Sequence, residues 1–233
     1  MARGGQRMVA WTLSAAFALA GPVRAATDPL PRAPTQQFVA PAPGTYRLEV
    51  IQQAPAGRVL DSDGRALDFK QVTTGRITLL SFIYTYCVDP IGCPLAHATF
   101  ATLRTQILAT PALAGQVRFV SLSFDPVNDT PAAMKAYGGE YATANAPLRW
   151  YFLTTGSMAD LKPLVDGLGQ SAAVQTDADG RPTRLYDHLL KVFLLDAQGR
   201  IREIYTTAFL LPDVIFNDIQ TLVIEQHARR PKP

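Results

Sequence analysis

Residues 76–86 read RITLLSFIYTY, a near-continuous apolar run rich in β-branched and aromatic residues. A strand of that kind has no polar face to offer to water, so it must be covered on both sides. VRFVSLSF (117–124) repeats the pattern. Between the two runs, PLAHATFATLRTQILAT carries Leu95, Phe100, Leu103 and Leu108 among its apolar helical positions. Two doubly covered strands with a helix between them point to an α/β sandwich around a mixed sheet.

The rest of the chain extends this alternation. YRLEVI (46–51) alternates as a strand does, and DSDGRAL (61–67) carries Asp63-Gly64, a hairpin turn signal. DTPAAMKAYGGEYA (129–142) predicts a helix with Thr130 as N-cap and Pro131 at its first position. LRWYFLT predicts a strand, SMADLKPLVDGLG a helix closed by glycine, LLKVFLLDAQGRIREIY two strands joined by a turn ending in Gly199, and LPDVIFNDIQTLVIEQ a last helix.

The N-terminal stretch is of another kind. A basic MARGGQR, an apolar MVAWTLSAAFALAG and PVRA, with Val23 and Ala25 at small-residue positions, have the layout of a secretory signal peptide over residues 1–25. The apolar run is short of the ~20 residues of a membrane span; retention as an anchor is the alternative. Cleavage removes Arg3, Arg7 and Arg24 from the 22 basic residues, which leaves a chain balanced against its 19 acidic ones. That balance argues against nucleic acid as a partner. Residues 26–45, with Pro29, Pro31, Pro34, Pro41 and Pro43, read as an extended linker. A folded domain is expected over 46–227, and a solvated basic tail over 228–233.

The chemistry lies in FIYTYCVDPIGCPLAH (82–97), which holds the only two cysteines, Cys87 and Cys93. Export would place them where thiols tend to pair. Cys93, ahead of Pro94, is the expected N-cap of the helix, where the unpaired N–H groups and the helix dipole favour a thiolate. Buried strand, cysteine loop and helix N-terminus follow each other as in a thioredoxin-type redox site, although thioredoxins use C-x-x-C. Three uses stay open: a stabilising disulfide, a redox pair, or a metal clamp. Two thiolates and one imidazole make a copper site, and three histidines are available. His188 lies where the apolar strand LLKVFLLD begins, His97 stands four residues after Cys93 in a first turn that is more often solvated, and His227 sits in the basic tail.

Several segments together resemble the Sco/SenC family. They are LDSDGRALDF, LLSFIYTYC with the following CP, VSLSFDPVNDTPAAMKAY, WYFLTTG and YDHLLKVFLLDAQGRI, in the family's order from about residue 57 to the last helix. The resemblance implies a thioredoxin-like α/β sandwich, a central mixed sheet flanked by helices with an N-terminal β-hairpin. It implies an extracytoplasmic (periplasmic) copper-binding metallochaperone, an assembly factor for the copper A site of cytochrome c oxidase. The ligands would be Cys87, Cys93 and His188, with the two cysteines also the redox-active pair. The expected partners are the copper-A subunit or another cuproprotein and a thiol reductant, and the protein would lie near the membrane without spanning it. Asp125 and Asp129 match the family segment and are assigned to an Asp-Pro turn and a helix N-cap. The family usually places three residues between its cysteines and CVDPIGC has five, so a longer loop must be ordered when metal binds. Leu189 also follows His188 where the family often has a small polar residue.

Two readings compete. A metal-independent thiol–disulfide reductant would work through a mixed disulfide, yet it would be expected to carry a cis-proline where this chain has His188. A binding module with a structural disulfide would be indifferent to His188. A peroxidase has nothing beyond the cysteines to support it.

Overall fold

The computed structural model describes Met1, residues 34–143 and residues 146–229. The signal-peptide segment therefore lies outside the described residues, as do most of the basic tail and the first part of the proline-rich linker. A six-stranded mixed sheet has the spatial order β1 (Gln52–Gln53), β10 (Arg200–Thr206), β9 (Lys191–Leu195), β4 (Ile77–Ile83), β5 (Val117–Ser123), β6 (Arg149–Leu153). The strands β4, β5 and β6 run parallel, while β9 joins β4 antiparallel, with Leu80 opposite Phe193. Two small antiparallel pairs stand apart from this sheet: β2 (Arg58–Leu60) with β3 (Ala66–Asp68), and β7 (Ala172–Thr176) with β8 (Pro182–His188). The helices are α1 (Phe69–Thr73), α2 (Cys93–Leu108), α3 (Pro111–Ala114), α4 (Pro131–Gly138), α5 (Met158–Gly167) and α6 (Pro212–Ala228).

Every residue of β4 and β5 is buried. These two strands are the apolar runs of the sequence, and their neighbours explain why they needed no polar face. Phe100 of α2 packs on Phe119 of β5 and on Trp150 of β6, with ring centroids 5.1 and 5.6 Å apart. The Trp150 indole N–H donates to the Ser121 hydroxyl at 3.0 Å, so these two buried polar groups satisfy each other. Truncating a wholly buried leucine such as Leu79 would cost about 2–5 kcal/mol.

One local device recurs three times. In Asp61–Arg65, Asp177–Arg181 and Asp196–Arg200 an aspartate Oδ1 accepts from the backbone N–H groups two and four residues on. The glycine between them adopts φ of 81°, 77° and 75° respectively, a conformation open to glycine at little cost. Each device turns one antiparallel hairpin: β2–β3, β7–β8 and β9–β10. The expected turns at Asp63-Gly64 and Gly199 are therefore present. The β7–β8 hairpin was not expected from the sequence.

The YRLEVI segment differs from its reading as a strand. Only Gln52–Gln53 ladder onto β10. Residues 41–48 are tied instead through side chains: Asn217 donates to the Pro41 carbonyl, the Gly44 N–H to Thr221, and the Tyr46 hydroxyl to Asp218. Arg202 reaches the Leu48 carbonyl. An extended strap and a strand share a two-residue alternation, and here residues 41–48 find their partners on α6 and Arg202, backbone pairing with β10 beginning only at Ile51. Among the described residues no helix is long and apolar enough to cross a membrane.

Candidate metal centre

The buried strand β4 ends at Ile83, and the chain leaves it into the cysteine segment. Its first turn is closed by the Cys87 N–H donating to the Tyr84 carbonyl at 3.2 Å. Thr85 is held from below, its N–H and hydroxyl both donating to the buried Asp129 at 3.0 and 2.5 Å. The Ser123 hydroxyl, at the end of β5, donates to the same carboxylate at 2.5 Å. Asp129 therefore ties the ends of two strands together beneath the cysteine loop. Asp129 is not the cap of α4: the N-cap is Thr130, as expected for this helix.

The five residues between the cysteines do not trail as a loose loop. Asp89 accepts from the Ile91 N–H through its side chain and from the Gly92 N–H through its carbonyl, both at 3.1 Å. The chain folds back over this turn and enters α2. Gly92 rather than Cys93 is the N-cap, so the helix begins one residue earlier than expected, with Cys93 its first residue and Pro94 following in the first turn.

His188 is placed differently from its reading at the start of an apolar strand. It is the last residue of β8, paired with Ala172 of β7 across the hairpin. Its ring stands edge-on to Tyr84 and Phe124, at 5.9 and 4.9 Å between centroids. The Leu189 carbonyl behind it accepts from Gln170 at 3.0 Å.

These placements bring the Cys87 and Cys93 sulfurs and a ring nitrogen of His188 within 4.8 Å of one another, the one such cluster among the described residues. Both cysteines are free thiols, Cys93 buried and Cys87 half-buried. The two sulfurs are electrostatically unequal. Hydrogen bonding from Cys93, helped by His188, pulls the Cys87 thiol far below its ordinary range against the cost of burial. The same interaction, added to near-complete burial, pushes Cys93 far up. The half-buried Cys87 sulfur is thus drawn toward the thiolate, and the buried Cys93 is held toward the thiol. Burial, with the Cys87 charge beside it, also raises the Tyr84 hydroxyl, and burial raises that of Tyr137.

His97 takes no part in this cluster, and it is not solvated either. Its ring is half-buried among Tyr137, Tyr141 and Trp150, with centroids 5.0–5.6 Å away. Burial lowers its pKa. His227 lies in the last turn of α6, away from the cluster.

Chemically, two soft sulfurs and one imidazole suit copper in either oxidation state. The same unequal thiol pair is also equipped for disulfide exchange. Asp89 and Asp129, which shape the loop, were not singled out for that role in the sequence. The Asp-Pro-x-Gly run inside CVDPIGC is a turn signal that could have identified Asp89.

The SCO1/SenC family model matches residues 56–224. The SCO1 protein homolog of Bacillus subtilis is 27% identical over 165 residues, covering 69% of this chain and 78% of that protein. The copper-bound crystal structure of ScoI from Arabidopsis thaliana superposes with a TM-score of 0.60 at 20% identity, over 74% of this chain and 98% of that one. BsSco, described as having a disulfide switch and as a member of the Sco family of cytochrome c oxidase assembly proteins, superposes with a TM-score of 0.55 at 23% identity, over 76% and 96%. The shared architecture is the thioredoxin-like sandwich, with its mixed sheet flanked by helices. A match that runs from the first hairpin into the last helix, across both segments that carry the clustered donors, makes this chain a member of the SCO1/SenC family.

Proposed function

We propose that this protein carries copper as cargo outside the cytoplasm, holding it between Cys87, Cys93 and His188 and passing it to the copper-A subunit of cytochrome c oxidase or another cuproprotein. The observation that carries the reading is the convergence of three soft and borderline donors within 4.8 Å, from a helix start, the turn after β4 and a separate hairpin. Copper needs both sulfurs as thiolates. Cys87 is already drawn toward that form, so uptake by the reduced protein releases about one further proton, from Cys93.

Handover to a protein partner is supported by the surroundings of the donors. Tyr86, Val88, Ile91 and Leu189, each next to or two residues from a ligand, are all more than half exposed. Exposed apolar side chains gathered at one site mark a surface for a partner. A reductant must keep the sulfurs open. In this reading the signal peptide delivers the domain of residues 46–227 across the membrane, and the proline-rich stretch spaces it from what lies behind.

The unequal thiols favour a second use of the same pair, reduction of a partner's disulfide, with Cys87 attacking and Cys93 resolving the mixed disulfide. Anaerobic copper titration of the reduced protein separates the two. Carriage of copper requires about one ion per chain with a thiolate-to-copper charge-transfer band, lost in His188→Ala and in Cys87→Ser. Equal copper retention by those variants sinks the site; exchange activity that survives in His188→Ala without copper uptake points to the second use.

A further inference from the structure

His188 sits on an element that the central sheet does not hold. The β7–β8 hairpin forms its own two-stranded sheet with no ladder to β9, although β9 begins three residues after His188. A lone two-stranded hairpin is marginal in water, so its position depends on side-chain contacts. Alternate residues of β8 share a face, and Arg184, Tyr186 and His188 are three successive members of one such set. On the inner side, Tyr186 and His188 pack on Tyr84, at 5.3 and 5.9 Å between centroids. Further back along the same face, the Arg184 guanidinium lies 4.3 Å from the centre of the Tyr86 ring. Tyr86 directly precedes Cys87 and is 52% exposed. The Arg184 side chain is itself exposed, so this ring contact forms at the surface. Between loop and hairpin runs an open groove lined by Tyr84, Val88, Asp89 and Tyr186 among others, and the Tyr86–Arg184 pair joins its two sides.

We propose that Tyr86 and Arg184 form a cation–π clasp that holds the His188 hairpin against the cysteine loop and so sets how long the three donors keep their metal. Both are positioning residues, acting through His188 and Cys87. The proposal rests on the copper reading above. A cation over an aromatic face at an exposed site is a weak attraction. Its loss should speed metal release by roughly three- to fivefold, without abolishing binding.

The test compares Tyr86→Ala, Tyr86→Phe, Arg184→Ala and Arg184→Lys in the full chain. Both side chains are at the surface, so thermal stability should stay near that of the parent. Copper transfer to a chelator present in excess gives the release rate. The expected result is a three- to fivefold rise for the two alanine variants, near-parent rates for Tyr86→Phe and Arg184→Lys, and no further rise in the double alanine variant. Unchanged rates in both alanine variants, or effects that simply multiply in the double variant, overturn the clasp. Amide exchange of β8 in the metal-free reduced protein is read alongside. If the parent takes up no copper, the copper reading fails, and the clasp is then decided by exchange alone: several-fold faster in both alanine variants supports it, and no change overturns it.

Discussion

Asp129 lies one residue ahead of the N-cap of α4, yet its carboxylate is spent on Thr85, accepting from that residue's N–H at 3.0 Å and its hydroxyl at 2.5 Å. The bonds reach across 44 residues of sequence and fix the turn from which Cys87 projects. Asp129→Asn turns an acceptor-only group into one with two donors facing the donors of Thr85 and Ser123. Breaking charge-assisted bonds inside the protein should cost about 1.5–3 kcal/mol, read by urea denaturation. Copper affinity should fall with it, because the loop loses its floor.

Asp89 offers a cleaner separation of loop shape from stability. It is exposed, and its side chain accepts from the Ile91 N–H within the turn between the cysteines. Asp89→Ala should leave unfolding free energy within about 0.5 kcal/mol of the parent and weaken copper binding by roughly fivefold, the worth of one hydrogen bond. Asp89→Asn should restore most of it, since asparagine makes the same turn. Competition with a copper-binding dye measures both.

The unequal thiols give the reduced protein a characteristic pH dependence. Between about 4 and the ordinary thiol value of 9.0 the folded pair holds one proton, on Cys93, where the unfolded chain holds two. Stability must therefore rise with pH across that window. Above it the unfolded chain loses both protons while Cys93 keeps its own, and stability turns downward. Chemical denaturation at a series of pH values in the presence of reductant should show this rise and fall. Cys87→Ser should remove the rise.

His97 predicts an acid limb of separate origin. Burial lowers its pKa from 6.5, so its contribution to stability is present above that value and lost as pH falls through the lowered one. His97→Phe keeps an aromatic ring among Tyr137, Tyr141 and Trp150 and removes the proton. Thermal melts should show a flatter acid limb, and the copper stoichiometry should be unchanged.

The parts of this molecule that were legible in the sequence are those where one force dominates. The runs that became β4 and β5 have no polar alternation, and only burial on both faces accommodates that. The cysteine loop was legible because a strand end, a glycine and a proline bracket it. The β7–β8 hairpin escaped notice because it is half-exposed, with a mixed sequence and no apolar face to read. Its Asp177–Arg181 turn nevertheless carries the same Asp-x-x-Gly-Arg pattern as the two turns that were noticed. Missing the hairpin moved His188 onto the following strand. The structure places His188 in the donor cluster but on another element, since only tertiary packing reveals that the chain breaks at Leu189 and Leu190. YRLEVI shows the converse case: its alternation was real, but hydrogen-bond partners on α6 made it a strap.

The two residues of β1 have a consequence beyond topology. A long open sheet edge is a template on which a second chain can build. Here one flank of the sheet ends in a strand too short to recruit anything. Beyond the other, the Leu60 and Thr154 backbones exchange hydrogen bonds at 2.8 and 3.0 Å just past the end of β6. A protein that displays Tyr86, Val88, Ile91 and Leu189 to solvent invites company. With its borders blunted in this way, the sheet offers a visitor little backbone, and in the proposed reading it is the side chains around the sulfurs that a partner would meet.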